Sequence, residues 1–233
     1  MTTIIHTPTN NLENSLSFYQ QLKFEVLSEA DPVVVTDGKA IVEINPDRYA
    51  RAGVKCFKES WAGEVATLKK LTKVTPIDGG YVLSDPSGVW IYLMEQEWEI
   101  ATVGVTMEDP CFGIPGNFMG LSLETTDMDA SATLWQTLGF EKGMGSVEQG
   151  WVTYADAGGF GISLMKPLMC PHLFFNPSFT YFNGKENNPI IIDKIRALDI
   201  PIAEEITHFN KEGIVDNIII RDPGGYGFFI FND

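Results

Sequence analysis

Two residue types that can bind a metal ion or move a proton lie on strand-like segments near the N-terminus. His6 lies in TTIIHTP and Glu43 lies in AIVEIN. An imidazole and a carboxylate together can hold part of a metal site, and either can accept a proton from a bound molecule. No third ligand is evident beside them, so the pair is also open to interpretation as polar neighbours joined by a hydrogen bond. The sequence assigns no catalytic residue.

Other candidates for chemistry are few. The three cysteines, Cys56, Cys111 and Cys170, have no CxxC spacing. This argues against a disulfide framework or a zinc knuckle and is typical of a reducing cytoplasm. His172 follows a proline in a predicted loop, and His208 lies in EITHFN; neither has a recognisable partner. No base stands beside a nucleophile in the manner of a hydrolase triad.

A repeat supplies the elements that must position these residues. NLENSLSFYQQLKFE (Asn11 to Glu25) and DMDASATLWQTLGFE (Asp127 to Glu141) align without a gap at an offset of 116 residues. Their apolar residues follow helical spacing, so each segment is predicted to form an amphipathic helix. Asn11 and Asp127 stand at the predicted N-caps, where a side-chain oxygen can accept from a free backbone N–H.

Each predicted helix follows one strand-like segment and precedes three, which makes a βαβββ module. The same order recurs within each half of the chain, so four modules fit its 233 residues. We therefore predict an α+β fold. The segment from Glu97 to Gly116, rich in proline and glycine, is predicted to connect the halves.

Each half ends with a similar turn and strand, SDPSGVWIYLME and RDPGGYGFFIFND. Together with the two helix segments, these motifs resemble the vicinal-oxygen-chelate superfamily, which includes glyoxalase I, extradiol dioxygenases and bleomycin-resistance proteins. The resemblance covers nearly the whole chain. It implies two tandem glyoxalase-like domains with open, cup-shaped sheets, at residues 1–98 and 117–233, joined by a linker at 99–116.

The resemblance also implies where a divalent metal would bind in the metal-dependent members. The carboxylate expected seven residues after the Asp of the D-P-x-G turn is replaced by Tyr92 in the first half and by Phe229 in the second. The remaining implied positions are Ile4, Gly53 and Glu43 in the first half, and Gly120, Ser163 and one of Asn176, Ser178 or Thr180 in the second. Because a divalent metal site normally needs at least three such ligands, the sequence predicts no metal and no cofactor.

Strand alternation predicts which side chains face each cup. We call "first cup" the surface lined by Ile4, His6, Ile41, Glu43, Lys55, Phe57, Trp90 and Tyr92, and "second cup" the surface lined by Ser122, Glu124, Ser163, Met165, Thr180, Phe229 and Phe231. The predicted ligand contacts are His6, Glu43, Lys55, Phe57, Trp90, Tyr92, Ser122, Glu124, Ser163 and Phe229. Two alternatives remain: Glu43 and Lys55 pair with each other, or the aromatic side chains fill the cups.

Composition narrows the classes of partner. The net charge of −15 and the lack of a basic stripe disfavour nucleic acid, and an acidic field favours a cationic ligand. No apolar run reaches the ~18 residues of a membrane span. The first residues, MTTIIHTPTN, lack the features of a secretory signal, so a cytoplasmic location is expected.

The leading hypothesis is a protein similar to the bleomycin-resistance branch, which binds a small, partly apolar and possibly cationic ligand in an aromatic-lined cup. One alternative is a metal-dependent glyoxalase-like lyase, isomerase or dioxygenase that uses His6 and Glu43. A second alternative is a protein-interaction scaffold whose cups are filled. The protein is expected to be either a monomer with an internal pseudo-dimer or a homodimer.

Overall fold

A computed structural model describes residues 1–100 and 111–232. The first half contains eight strands and two helices: β1 (Thr2–Pro8), α1 (Leu12–Gln21), β2 (Glu25–Ser28), β3 (Val33–Thr36), β4 (Ile41–Asn45), β5 (Gly53–Lys58), α2 (Ala62–Leu71), β6 (Thr75–Ile77), β7 (Gly80–Ser84) and β8 (Trp90–Glu95).

The second half repeats this order: β9 (Phe118–Glu124), α3 (Met128–Thr137), β10 (Glu141–Ser146), β11 (Trp151–Ala155), β12 (Gly161–Met165), β13 (Ser178–Phe182), α4 (Gly184–Arg196), β14 (Ile202–Ile206), β15 (Asn217–Arg221) and β16 (Gly227–Phe231). The predicted α+β fold of four βαβββ modules is confirmed.

The strands form two open mixed sheets of eight strands each, ordered β2-β3-β4-β1-β5-β8-β7-β6 and β10-β11-β12-β9-β13-β16-β15-β14. Within a module the first strand pairs in parallel with the last, as β1 does with β4 and β5 with β8. The two modules of the first sheet meet through the antiparallel pair β1–β5, and those of the second sheet through β9–β13. The four strands that meet at the middle of each sheet therefore come from both of its modules.

The repeated helices begin where the sequence predicts. The side chain of Asn11 accepts from the backbone N–H of Asn14, and that of Asp127 accepts from Ala130. Helix α4 differs from its prediction, which placed its start near Pro189. It begins at Gly184 and contains Pro189, while the buried Asn188 side chain donates to the carbonyls of Asp216 and Ile230.

The aspartates of the hairpin turns are buried and join the two halves. Each accepts a hydrogen bond from a side chain of the other half, and these bonds are Tyr181 to Asp37 (2.9 Å), Trp135 to Asp85 (3.1 Å), Thr3 to Asp156 (2.7 Å), and both Thr7 (2.7 Å) and Tyr19 (2.9 Å) to Asp222. The same carboxylates cap their own turns, as Asp222 does for the N–H of Tyr226 at 2.6 Å. One continuous apolar core extends from α1 and the first sheet to β13 and β16 of the second.

The predicted domain limits, 1–98 and 117–233, stay a prediction. Most of the predicted linker, 99–116, falls on residues 101–110, which lie outside the described part of the chain. Beyond that segment, the backbone N–H of Phe112 donates to Asp37 and that of Ile114 donates to Leu22. Among the described residues, no helix has the length and apolarity required to cross a bilayer.

Candidate functional site

The first cup brings together the polar residues that the sequence singled out. Pairing of β1 with β4 sets His6 opposite Glu43, and pairing of β5 with β8 sets Lys55 opposite Tyr92. His6 Nδ1 lies 2.8 Å from Glu43 Oε1, and Lys55 Nζ lies 2.5 Å from the same oxygen. The predicted pairing of Glu43 with Lys55 is therefore present, with His6 as a third member.

The surroundings fix the charge states of these groups. Burial lowers the pKa of His6, against the opposing effect of its bond to Glu43. Burial alone would raise the pKa of Glu43, but the hydrogen bond from His6 and the charge of Lys55 outweigh it and hold this pKa below its usual range. At neutral pH the imidazole is neutral and the carboxylate is ionised. Since the carboxylate can only accept, the His6 proton is assigned to Nδ1 and a lone pair to Nε2.

His6 Nε2 is buried and has no hydrogen-bond partner among the described residues. The His6 ring lies 4.9 Å from the ring of Tyr92, measured between centroids, and its side chain is only 1% exposed. An unpaired buried polar atom costs about 1–3 kcal/mol. The site therefore keeps a buried acceptor that only a molecule entering from outside the described chain can satisfy.

A cavity of about 460 Å³ opens beside this imidazole. Its lining residues are His6, Asn45, Asp47, Tyr49, Ala50, Arg51, Lys55, Ile77, Val82, Trp90, Tyr92 and Met94. Trp90 and Tyr92 thus form part of the wall as predicted. Phe57 lies in the same strand row, but it is buried against Trp98, with 4.9 Å between ring centroids, and does not line the cavity.

The second cup is filled by its own chain. The β12–β13 connection, residues 166–177, brings in His172 and Phe174, whose ring centroids lie 5.1 and 4.9 Å from that of Phe229. Phe229 is 2% exposed and packs with Ile206 and Ile219. Beneath this cluster the hydroxyls of Ser122 and Thr180 lie 2.6 Å apart.

The two other predicted contacts of the second cup lie near the same connection. Glu124 Oε1 accepts the backbone N–H of Leu168 at 3.1 Å, which ties the connection to β9. Ser163, on β12, is paired with Ser122 on β9. The alternative of a filled cup therefore describes the second half, whereas the first half retains a cavity.

Comparison with solved structures places this architecture. An extradiol ring-cleaving dioxygenase from B. fuscum matches with a TM-score of 0.55 and 13% identity, over 97% of this chain and 70% of that one. Homoprotocatechuate 2,3-dioxygenase from Arthrobacter globiformis matches with a TM-score of 0.55 and 14% identity, over 97% and 78%. The 2,3-dioxygenase LapB from Pseudomonas sp. KL28 matches with a TM-score of 0.52 and 17% identity, over 97% and 90%.

The chain has the vicinal-oxygen-chelate fold. The resemblance drawn from the helix and turn motifs is confirmed at the level of the fold, through its extradiol dioxygenase members. No protein-family model matches the sequence, and no curated protein matches it.

These comparisons correct one prediction. The sequence was predicted to need no cofactor, but the solved vicinal-oxygen-chelate structures that match it are extradiol dioxygenases, and such neighbours point to a metal cofactor. The prediction of no cofactor is therefore wrong. Its error lay in treating the implied ligand positions as the only places from which a metal could be held.

The described residues nevertheless do not fit a three-ligand metal site. No group of three or more His, Cys, Asp or Glu side chains converges in the described ranges. A Cβ at Gly53 would lie 2.0 Å from the carbonyl oxygen of Trp90, and one at Gly120 would lie 2.2 Å from that of Gly161, so neither position has room for a ligand side chain. In the first cup the Lys55 ammonium occupies the carboxylate oxygen that His6 shares. His6 and Glu43 are thus two donors at most.

Several residues of the site were missed by the sequence reading. Asp47, Tyr49 and Arg51 lie at the mouth of the first cup, on the β4–β5 connection. His172 and Phe174 fill the second cup from the matching β12–β13 connection. The signal available was the length of these connections, residues 46–52 against residues 166–177, and the apolar stretch HLFF in the longer one.

Proposed function

We propose that the first cup binds a small, partly apolar organic molecule that donates a hydrogen bond to His6 Nε2. The observation that carries the proposal is the buried, unpartnered Nε2 atom at the edge of a cavity of about 460 Å³. Ligand pockets commonly measure about 300–1,000 Å³ and combine apolar walls with a few converging polar groups. Trp90, Tyr92 and Met94 supply the walls here.

The polar groups give the cup a direction. Because Glu43 holds Nδ1, the imidazole is oriented with Nε2 as an acceptor, and an O–H or N–H of the ligand would restore its missing hydrogen bond. Lys55 stands on the other side of Glu43 and keeps that carboxylate ionised. The expectation of a cationic ligand gains no support from this arrangement, since both Arg51 and Lys55 line the cavity.

A fragment screen followed by protein-observed NMR tests the proposal. Fragments that carry a hydrogen-bond donor should shift the indole N–H of Trp90, assigned with a Trp90→Phe variant. His6→Leu should weaken these fragments about tenfold, because the acceptor is lost while the ring volume is roughly kept. The matched control is Ser122→Ala, at the equivalent position of the second cup. Fragments that shift only residues elsewhere, or that bind His6→Leu unchanged, would contradict the proposal.

The second candidate function is a metal-dependent lyase, isomerase or dioxygenase that uses His6 and Glu43. It is favoured by the fold shared with ring-cleaving dioxygenases and by the carboxylate–imidazole pair, an arrangement that orients a general base. Elemental analysis of the protein purified with Fe²⁺, Mn²⁺ or Zn²⁺ tests this candidate. A stoichiometric metal that is lost in Glu43→Gln and kept in Ser163→Ala would support it, whereas a metal retained by Glu43→Gln would place the ion elsewhere.

A further inference from the structure

Two arginines at the mouth of the first cup lack an acidic partner. Arg51 Nη1 donates to the backbone carbonyls of Ala50 at 2.8 Å and Arg48 at 3.4 Å. Arg48 Nη2 donates to the hydroxyl of Tyr49 at 2.6 Å. Within the described ranges, neither guanidinium forms an ion pair with a carboxylate. Both are instead held by the connection on which they lie.

This is notable in a chain with 31 acidic and 16 basic residues. Around the first cup the balance is reversed, since three cations, Arg48, Arg51 and Lys55, face two carboxylates, Asp47 and Glu43. Glu43 is already bonded to Lys55 and His6. Asp47 Oδ1 accepts the backbone N–H of Tyr49 at 2.8 Å, which uses it to shape the turn.

The donors left on Arg51 are suited to an anion. A guanidinium carries five N–H donors in a planar fork, and backbone carbonyls engage only Nη1 here. The fork matches a carboxylate, and its charge-assisted bonds are stronger than neutral ones. The connection is itself anchored to the wall of the cup, because the Arg51 N–H donates to the hydroxyl of Tyr92 at 3.3 Å.

We infer that the ligand of the first cup is a small organic carboxylate, with its charged group at Arg51 and Lys55 and its apolar part against Trp90 and Tyr92. The inference rests on the proposed function and adds the charge of the ligand to it. It also reverses the expectation drawn from net charge, because the local groups at the mouth rather than the overall charge of −15 meet the ligand.

Three probes of similar shape and different charge test the inference: benzoate, benzamide and benzylamine. Dissociation constants are measured on the full chain from the NMR shift of the Trp90 indole N–H. Benzoate should bind at least about tenfold more tightly than benzamide, and benzylamine should bind most weakly. Added salt should weaken benzoate and leave benzamide unchanged.

The variant Arg51→Gln should lower benzoate affinity about tenfold and leave benzamide affinity unchanged. Arg196→Gln is the matched control and should change neither, because Arg196 lies on α4 and pairs with Glu205. If benzamide or benzylamine binds at Trp90 as tightly as benzoate, the inference is overturned and the proposed function stands. If no probe of any charge shifts Trp90, both are overturned.

Discussion

The two cups are built on the same strand order, yet one retains a cavity and the other is packed. The difference lies in the connection between the fourth and fifth strands of each sheet, which spans residues 46–52 in the first half and residues 166–177 in the second. The shorter connection places charged and polar groups at a mouth, and the longer one inserts aromatic rings. Connection length, rather than sheet topology, therefore determines which cup can accept a ligand.

The same contrast holds at the floor of each cup. At the repeat offset of 116 residues, Ser122 is the counterpart of His6. His6 keeps one ring nitrogen unpaired, whereas the hydroxyls of Ser122 and Thr180 satisfy each other at 2.6 Å. A polar group satisfied within the protein serves stability, and one left unpaired is available to a ligand at some cost in stability.

The largest effect is expected from emptying the packed cup. Phe229→Ala should destabilise the protein by about 3–4 kcal/mol, because it removes a buried ring that contacts Phe174 and His172. Tyr92→Ala, at the equivalent place in the first cup, should cost about half as much, since Tyr92 already faces a cavity. Urea unfolding of both variants checks the contrast. Equal losses would show that the first cup is packed as tightly as the second.

A second comparison concerns the charged group on the fourth strand. Glu43→Leu should cost about 3 kcal/mol, because it leaves the Lys55 ammonium and His6 Nδ1 without their shared acceptor. Ser163→Ala, on the fourth strand of the second sheet, should cost less than about 0.5 kcal/mol. The two free energies of unfolding are measured by chemical denaturation. A neutral Glu43→Leu would mean that the His6–Glu43–Lys55 group does not form in solution.

These contrasts mark what the sequence could predict. Helix periodicity, the caps Asn11 and Asp127 and the paired D-P-x-G turns defined the modules, because such signals are local. Strand alternation also placed His6 and Glu43 on one face, since adjacent β1 and β4 preserve that parity. The interdomain role of Asp85 and Asp222 was not predictable, because their partners Trp135, Thr7 and Tyr19 are distant in the chain.

The content of each cup was the least predictable feature. The sequence gives no geometric measure of whether HLFF folds inward or outward, so the second cup appeared as open as the first. Conversely, the unpaired arginines at the mouth of the first cup were overlooked because the net charge of −15 drew attention to cations. Charges must be counted around a site rather than along a chain.

The contact between the halves gives a third test, through pH. Burial raises the pKa of Asp37 to about 6, against its hydrogen bonds from Lys39, Ala40 and Tyr181. A raised folded-state pKa contributes stability that is fully present below the unfolded value near 3.8 and is lost as the pH rises through about 6. The free energy of unfolding should therefore fall by about 2–3 kcal/mol from this group between pH 4 and pH 7.

His6 acts in the opposite direction and is the control for that profile. Its folded-state pKa lies below the model value of 6.5, so its contribution is present at higher pH and is lost as the pH falls below that value. Asp37→Asn should flatten the decline toward neutral pH, and His6→Gln should remove the loss on the acid side. Thermal unfolding at several pH values measures both. A decline that Asp37→Asn leaves intact would assign it to another group.

The smallest effect is expected at the satisfied hydroxyl pair of the second cup. Ser122→Ala removes one partner from the 2.6 Å contact and leaves the Thr180 hydroxyl, in a 5% exposed residue, without it. The cost should be about 1 kcal/mol, the usual net value of one such hydrogen bond. The double variant Ser122→Ala, Thr180→Val should recover part of that loss, because an apolar pair leaves no buried donor unpaired. Recovery in this cup, set against the unpaired His6 in the other, would show that the polar atoms of the second cup serve packing. No recovery would instead require that Thr180 finds another partner once Ser122 is removed.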